Sequence, residues 1–152
     1  MADTNEAEAI SAAGVLKLLG GIRPSRKRQL SPPEVRAAVR KGLPFSALEA
    51  LQKEVELTGK ELGAVLGIPE RTIARRKEEQ HLTAAESDRL YRVARTVAHA
   101  NSVLGGSYRG RTWLKRPNRA LGDEAPLTLL DTDVGARQVE EVLLRLAYGI
   151  YS

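Results

Sequence analysis

Apolar residues recur along most of this chain at intervals of three and four, the spacing that gathers side chains on one face of an α-helix. No stretch alternates residue by residue, as a half-buried strand would. Leu48, Leu51 and Val55 follow Ser46, while Leu90, Val93, Ala94, Val97, Ala98 and Leu104 follow Thr83, with Arg89, Arg92 and Arg95 between them. The second set predicts one long amphipathic helix stopped by Gly105 and Gly106, with a loop over residues 105–110. Four helix starts are marked by a Ser or Thr with a Glu three positions on, a pair whose groups satisfy each other's free backbone donors. They are Ser31/Glu34, Ser46/Glu49, Thr58/Glu61 and Thr83/Glu86. Pro32 suits a first helical position, where its missing N–H costs nothing. Further on, Pro117, Gly122 and Pro126 divide the chain into single helical turns, one carrying Trp113 and Leu114, another Leu127, Leu129 and Leu130. Asp133 is the expected cap of a last helix bearing Val139, Val142, Leu143, Leu146 and Ala147, and Gly149 its left-handed stop. Residues 10–19 suit a short helix, and Gly20, Gly21 and residues 23–28 a flexible basic linker. The fold class is all-α, without internal repeats. Residues 1–30 form a flexible or partly helical segment, 31–104 a helical domain, and 105–152 a small helical C-terminal region.

Within the second block, residues 59–78 have the layout of a helix-turn-helix, which needs a two-turn helix, a tight bend and a second helix free to enter the major groove of DNA. Gly63 lies mid-helix, where a small residue admits the second helix, and Gly67 lies at the bend, where positive φ is wanted. Leu62, Leu66, Ile68 and Ile73 fill the space between the helices. Pro69 starts the second helix, whose donors are Arg71, Thr72, Arg75, Arg76 and Lys77. Arg pairs bidentately with guanine, Thr meets a thymine methyl or a phosphate, and Lys offers a point charge. Arg71, Thr72 and Arg75 are therefore assigned to bases or nearby phosphates, Arg76 and Lys77 to the DNA backbone. The plainer alternative is a solvated helix face pairing with Glu78 and Glu79. Arg76 also takes a slot that such motifs usually fill with an apolar residue, which an outward tilt of the helix end would accommodate.

Charge sharpens this picture. The chain has 152 residues and a formal charge of +5. Residues 1–70 hold 10 basic and 9 acidic side chains, 71–119 hold 12 and 4, and 120–152 hold 2 and 6. The blocks carry +1, +8 and −4. A basic middle beside an acidic end implies two partners, one of them a polyanion. One Phe, one Trp and four Tyr are too few for a surface that stacks single strands, so duplex is the better match. The absence of cysteine excludes thiol catalysis, disulfides and Cys-ligated metals, and suits a reducing, cytoplasmic setting. The polar, acidic start and short apolar runs predict neither a signal peptide nor a membrane span.

Catalytic chemistry finds no foothold. Neither His81 nor His99 has a carboxylate three or four residues on, as a helical metal site would. Asp123/Glu124 and Asp131/Asp133 are better explained by capping and solvated loops than as a catalytic pair. Gly105, Gly106 and Ser107 lack the pattern of a phosphate cradle. No enzyme activity, metal, cofactor or small-molecule substrate is expected.

Four segments carry a resemblance: KGLPFSALEAL at 41–51, RTIARRK at 71–77, ESDRLYRVAR at 86–95 and WLKRPNRALGDEAPLTLLDTDVGARQVEEVLLRLAYG at 113–149. From Lys41 on, the chain resembles the Xre/MbcA/ParS antitoxins of RES-Xre toxin-antitoxin systems. The resemblance implies a type II antitoxin whose helix-turn-helix represses its own operon and whose C-terminal domain, 105–152, binds a RES-domain toxin that acts on NAD. It further implies that the C-terminal end reaches the toxin's cleft, through Arg145, Tyr148, Gly149, Ile150, Tyr151 and Ser152. Charge agrees, because a cleft that holds a phosphate-rich cofactor is basic and the −4 block is its complement. Tyr148, Ile150, Tyr151 and the terminal carboxylate would form an amphipathic plug; the alternative is that Tyr148 and Ile150 cover the protein's own core. A homodimer on operator DNA is expected, since paired recognition helices multiply affinity. The competing reading is a stand-alone repressor without a toxin partner.

Overall fold

Capping groups set several helix boundaries where the sequence places them, and tertiary contacts set the others. The structure, a computed structural model, describes residues 11–21 and 30–149. These residues form α1 (Ala12–Leu18), α2 (Pro32–Lys41), α3 (Phe45–Val55), α4 (Gly59–Leu66), α5 (Glu70–Glu79), α6 (Ala84–Leu104), α7 (Ser107–Lys115) and α8 (Asp133–Ala147). Two 3-10 turns, Arg119–Leu121 and Pro126–Asp131, lie between α7 and α8. Among the described residues the fold is all-α, with isolated bridges Pro44–His81 and Asn118–Glu124 in place of strands.

Ser31 and Thr83 cap as expected. The Ser31 N–H donates to Glu34 Oε2 at 2.8 Å, and the Thr83 N–H to Glu86 Oε2 at 3.0 Å. Thr58 accepts the Glu61 N–H at 3.1 Å, but the Glu61 carboxylate takes the Thr58 hydroxyl, so only half of that box forms. Ser46 is not a cap. The Phe45 N–H donates to the Gln80 carbonyl at 3.2 Å and the Leu82 N–H to the Leu43 carbonyl at 2.9 Å, which starts α3 two residues earlier behind Pro44.

Two further expectations give way to packing. Gly105 and Gly106 stop α6 with φ of +86° and +138°, yet residues 105–110 are not a loop, because α7 begins at Ser107. Gly110 explains the sharp return: a Cβ there would stand 2.0 Å from Asn101 Oδ1 and 3.0 Å from the Asn101 backbone, so α7 lies directly on the last turns of α6. Arg111 Nη1 donates to the Glu54 carbonyl at 3.2 Å and Lys115 Nζ to the Glu56 carbonyl at 2.6 Å, tying α7 to the end of α3. At α8 the cap is Thr132, whose Oγ1 accepts the Gly135 N–H at 3.0 Å. Asp133 is the first helical residue, with its carboxylate 2.9 Å from Arg137 Nε. The start of α8 is wedged on the preceding turn, where a Cβ on Gly135 would meet the Leu129 carbonyl at 1.9 Å, and that contact draws Thr132 into the cap.

One continuous core results, with α6 as its central rod. Leu48, Leu51 and Val55 of α3, Leu62 and Leu66 of α4, Leu90, Val93 and Val97 of α6, Leu114 of α7, and Val139 and Leu143 of α8 all belong to it. So do Val15, Leu16 and Leu19, which make α1 part of the packed body. Burial of each such side chain stabilises the fold by about 1.5–3 kcal/mol before conformational entropy is counted. Trp113 is half-buried against the same core. His99, 2% exposed, joins α6 to α8: its Nδ1 meets a Glu140 carboxylate oxygen, and the other oxygen accepts the Thr96 hydroxyl at 2.9 Å. No helix among the described residues is long and apolar enough to cross a membrane.

Candidate functional site

The turn between α4 and α5 is built as the sequence implies. Gly67 takes φ +64°, and the Ile68 N–H returns to the Gly63 carbonyl at 2.9 Å. A Cβ on Gly63 would lie 2.7 Å from the Ile68 carbonyl oxygen and 3.6 Å from Ile73 Cδ1. Leu62, Leu66 and Ile68 are buried and Ile73 half-buried between the two helices. The sequence did not reveal the role of Arg89, which reaches across from α6 and donates through Nη1 to the Gly67 carbonyl at 3.2 Å and toward that of Leu66 at 3.5 Å. The bend is thus pinned from both sides.

On α5, Arg71 and Arg75 stand one turn apart on the outer face, both exposed, with Thr72 half-buried at its edge. Arg75 is 61% exposed and only loosely held, 3.9 Å from Glu79. Lys77 is exposed on the opposite flank. Arg76 is placed differently from its neighbours. Its side chain is 14% exposed, with Nε donating to both Glu86 oxygens at 2.8 and 3.0 Å and Nη1 to Glu79 at 3.1 Å. The hydrogen bond to Glu86 raises the guanidinium's pKa further above its ordinary value. Burial alone would push the Glu86 carboxyl up, but the bonds from Arg76 and the Thr83 backbone outweigh it and hold it below its usual value. The helix end does not tilt outward: its C-cap, Gln80, is bonded to Phe45, and Arg76 fills the usually apolar slot by pairing with Glu86, the partner of Thr83 in the capping box of α6. Nothing in the local sequence announces this pair, because its members belong to different helices.

At the other end of the molecule, α8 stops at Ala147, with Tyr148 as its C-cap and Gly149 at φ +66°. Arg145 is exposed and 3.8 Å from Glu141, and Tyr148 is 67% exposed. Tyr148 therefore does not cover the core. Ile150, Tyr151 and Ser152 lie outside the described residues. Val134 and Leu144 add apolar surface to the same helix, and the sequence pattern did not single them out. The Asp133 carboxyl is held below its ordinary value, chiefly by its hydrogen bond to Arg137.

The described residues bring no three metal-ligating side chains together. His81 is exposed beside Pro44, and His99 is occupied in the α6–α8 contact. What the described residues expose is a cationic face on α5 and, on α8, apolar side chains beside the Glu141–Arg145 pair.

Comparison with known proteins gives both ends a lineage. Residues 34–95 match the antitoxin Xre-like helix-turn-helix domain, and residues 99–149 match the antitoxin Xre/MbcA/ParS C-terminal toxin-binding domain. An antitoxin Xre of Photorhabdus laumondii is 32% identical over 124 residues, 80% of this chain and 84% of the relative. The chain belongs to the Xre antitoxin family. A second antitoxin Xre, from Pseudomonas putida, is 42% identical over 83 residues, which span 54% of this chain and about half (52%) of that protein. The fold of this Xre-family antitoxin is also similar to a chain of the M. tuberculosis MbcT-MbcA toxin-antitoxin complex, with a TM-score of 0.53 and 24% identity over 71% of this chain and 96% of that one. The two family regions meet on α6, between residues 95 and 99, so a single helix carries the scaffold of both domains.

Proposed function

We propose that this Xre-family antitoxin neutralises a RES-domain toxin acting on NAD by occluding the toxin's active site with its C-terminal end, and that it represses its own operon through the helix-turn-helix. The observation that carries the reading is the exposed end of α8: Arg145, Tyr148 and Gly149 project from a domain matched to toxin binding. An aromatic and an arginine held free of the core have the character of interface anchors. Ile150, Tyr151 and Ser152 would extend the plug into the cleft. The NAD chemistry belongs to the toxin.

For operator binding, Arg71, Thr72 and Arg75 present themselves to bases and nearby phosphates, and Lys77 to the DNA backbone. Arg76 enters this reading as the brace that sets α5 against α6, because its donors are already taken by Glu86 and Glu79. Two copies on a palindromic operator in the cytoplasm would place one recognition helix in each half-site. The test is reconstitution. A RES-type protein encoded beside this gene should consume NAD when purified alone and stop doing so when the antitoxin is added. Unchanged NAD consumption at saturating antitoxin would refute the proposal.

A further inference from the structure

The +8 charge of residues 71–119 is not concentrated on the recognition helix. No Asp or Glu lies between Asp88 and Asp123, and five of the cations, Arg109, Arg111, Lys115, Arg116 and Arg119, fall on α7 and the turn after it. These five lie within the region matched to toxin binding, far along the chain from the helix-turn-helix.

The structure separates them into two groups. Arg111 and Lys115 are engaged by α3: Arg111 Nε is 3.4 Å from Glu56 and its Nη1 bonds the Glu54 carbonyl, while Lys115 bonds the Glu56 carbonyl. Glu54 is further occupied by Asn101 and Ser107. Arg109, Arg116 and Arg119 are exposed, and none makes an ion pair or side-chain hydrogen bond among the described residues. Asp123 and Glu124 close the following turn through the Asn118 backbone and form no ion pair with Arg119. Glu56, the C-cap of α3, is thus paired with Arg111, the Glu54 carboxylate keeps its charge while accepting from Asn101 and Ser107, and three guanidinium groups face solvent.

Position adds the second observation. Arg76 and Arg89 anchor the helix-turn-helix to the first part of α6, whereas α7 packs on its last turns. α6 has 21 residues, which at helical rise is about 30 Å. Duplex DNA repeats its backbone about every 34 Å. The length of α6 is thus the most that separates the two cationic regions along this helix, a span that fits within one duplex turn. The end of α8, where Glu141 pairs with Arg145 beside exposed Leu144 and Tyr148, lacks this excess of positive charge and suits a different partner.

We propose that Arg109, Arg116 and Arg119 form a second, sequence-independent contact with the phosphate backbone of the duplex that α5 reads. The inference rests on the operator-binding reading above. It makes the C-terminal domain a DNA clamp as well as a toxin binder.

The test is a salt titration of duplex binding by the full chain, using fluorescence anisotropy on the operator duplex and on a scrambled duplex of equal length. The Arg109→Gln/Arg116→Gln/Arg119→Gln variant should flatten the slope of log K against log salt by about 0.9 for each phosphate no longer neutralised, close to 3 in all. The ratio of operator to scrambled affinity should stay unchanged. An Arg71→Ala/Arg75→Ala variant should do the reverse, losing that ratio while keeping the residual salt-dependent binding. Helical content and melting temperature check folding, and an Arg116→Gln/Arg119→Gln pair that leaves α7 intact should flatten the slope by about 2. If the wild-type chain binds the operator and the triple variant binds with the same slope, the second contact is overturned and the helix-turn-helix reading stands. If the triple variant instead loses toxin binding with duplex binding intact, the patch belongs to the toxin interface and the proposal is wrong. If the wild-type chain binds no duplex, the operator reading itself falls, and this inference with it.

Discussion

Gly63 offers a sharp test of how the helix-turn-helix is held, because Gly59 on the same helix provides its own control. An Ala Cβ at position 63 would lie 2.7 Å from the Ile68 carbonyl oxygen, closer than the 3.0 Å below which real Cβ contacts essentially never occur. The obstructing atom is backbone, so the α4–α5 turn must shift. Overpacking of this kind costs about 1–3 kcal/mol. Against it, replacing a mid-helix Gly by Ala contributes about 0.5–1 kcal/mol. The net expectation for Gly63→Ala is a loss of about 0–2.5 kcal/mol, and about 1–3 kcal/mol relative to a Gly→Ala change that meets no obstruction. At Gly59 nothing lies within 4 Å of the added carbon, so Gly59→Ala should be neutral or stabilising by up to about 1 kcal/mol. Urea unfolding at constant m-value measures both. Operator affinity should fall for Gly63→Ala as well, since Ile68 leads directly into Pro69 at the head of α5. A Gly63→Ala protein as stable as Gly59→Ala would refute the close approach and the geometry drawn from it.

Other expectations follow from single side chains. Arg75→Ala should weaken operator binding by about 1–3 kcal/mol and relax base preference, whereas Lys77→Ala should weaken binding to every sequence alike and lower the salt slope by about 1; identical binding curves for both variants would remove the distinction. Glu86 has a folded-state pKa below its ordinary 4.5. Its contribution to stability is therefore present above that value and is lost as pH falls through the lower folded one. Glu86→Gln should flatten the acid limb of a thermal-melt series as pH falls below 4.5, and an unaltered acid limb would show that the pair with Arg76 does not couple to folding.

Local chemistry made much of this fold legible. The capping pairs at Ser31 and Thr83 and the glycines at 63 and 67 work through near neighbours in the chain, so the local sequence is enough to foresee their consequences. The departures share a different cause. Ser46 loses its cap role to hydrogen bonds from residues 80–82, Asp133 yields to Thr132 because Gly135 is pressed on Leu129, and α7 forms where a loop was expected because Gly110 fits against Asn101. Each depends on a tertiary contact, which periodicity does not encode. The same holds at the candidate site. The cationic character of α5 was legible, but the inward turn of Arg76 needed Glu86 in place, and the exposure of Val134 and Leu144 needed the packing of α8. The contact of His99 with Glu140 lies beyond sequence reasoning for the same reason.

The division of labour between the two ends of the molecule is the central claim, and a truncation after Ala147 tests it most directly. The shortened chain would be titrated against the RES toxin with NAD consumption as the readout, and in parallel against operator duplex. The account predicts normal operator binding and no suppression of NAD consumption at any concentration that silences the toxin with the full chain. Full suppression by the truncated chain, with operator binding intact, would contradict it.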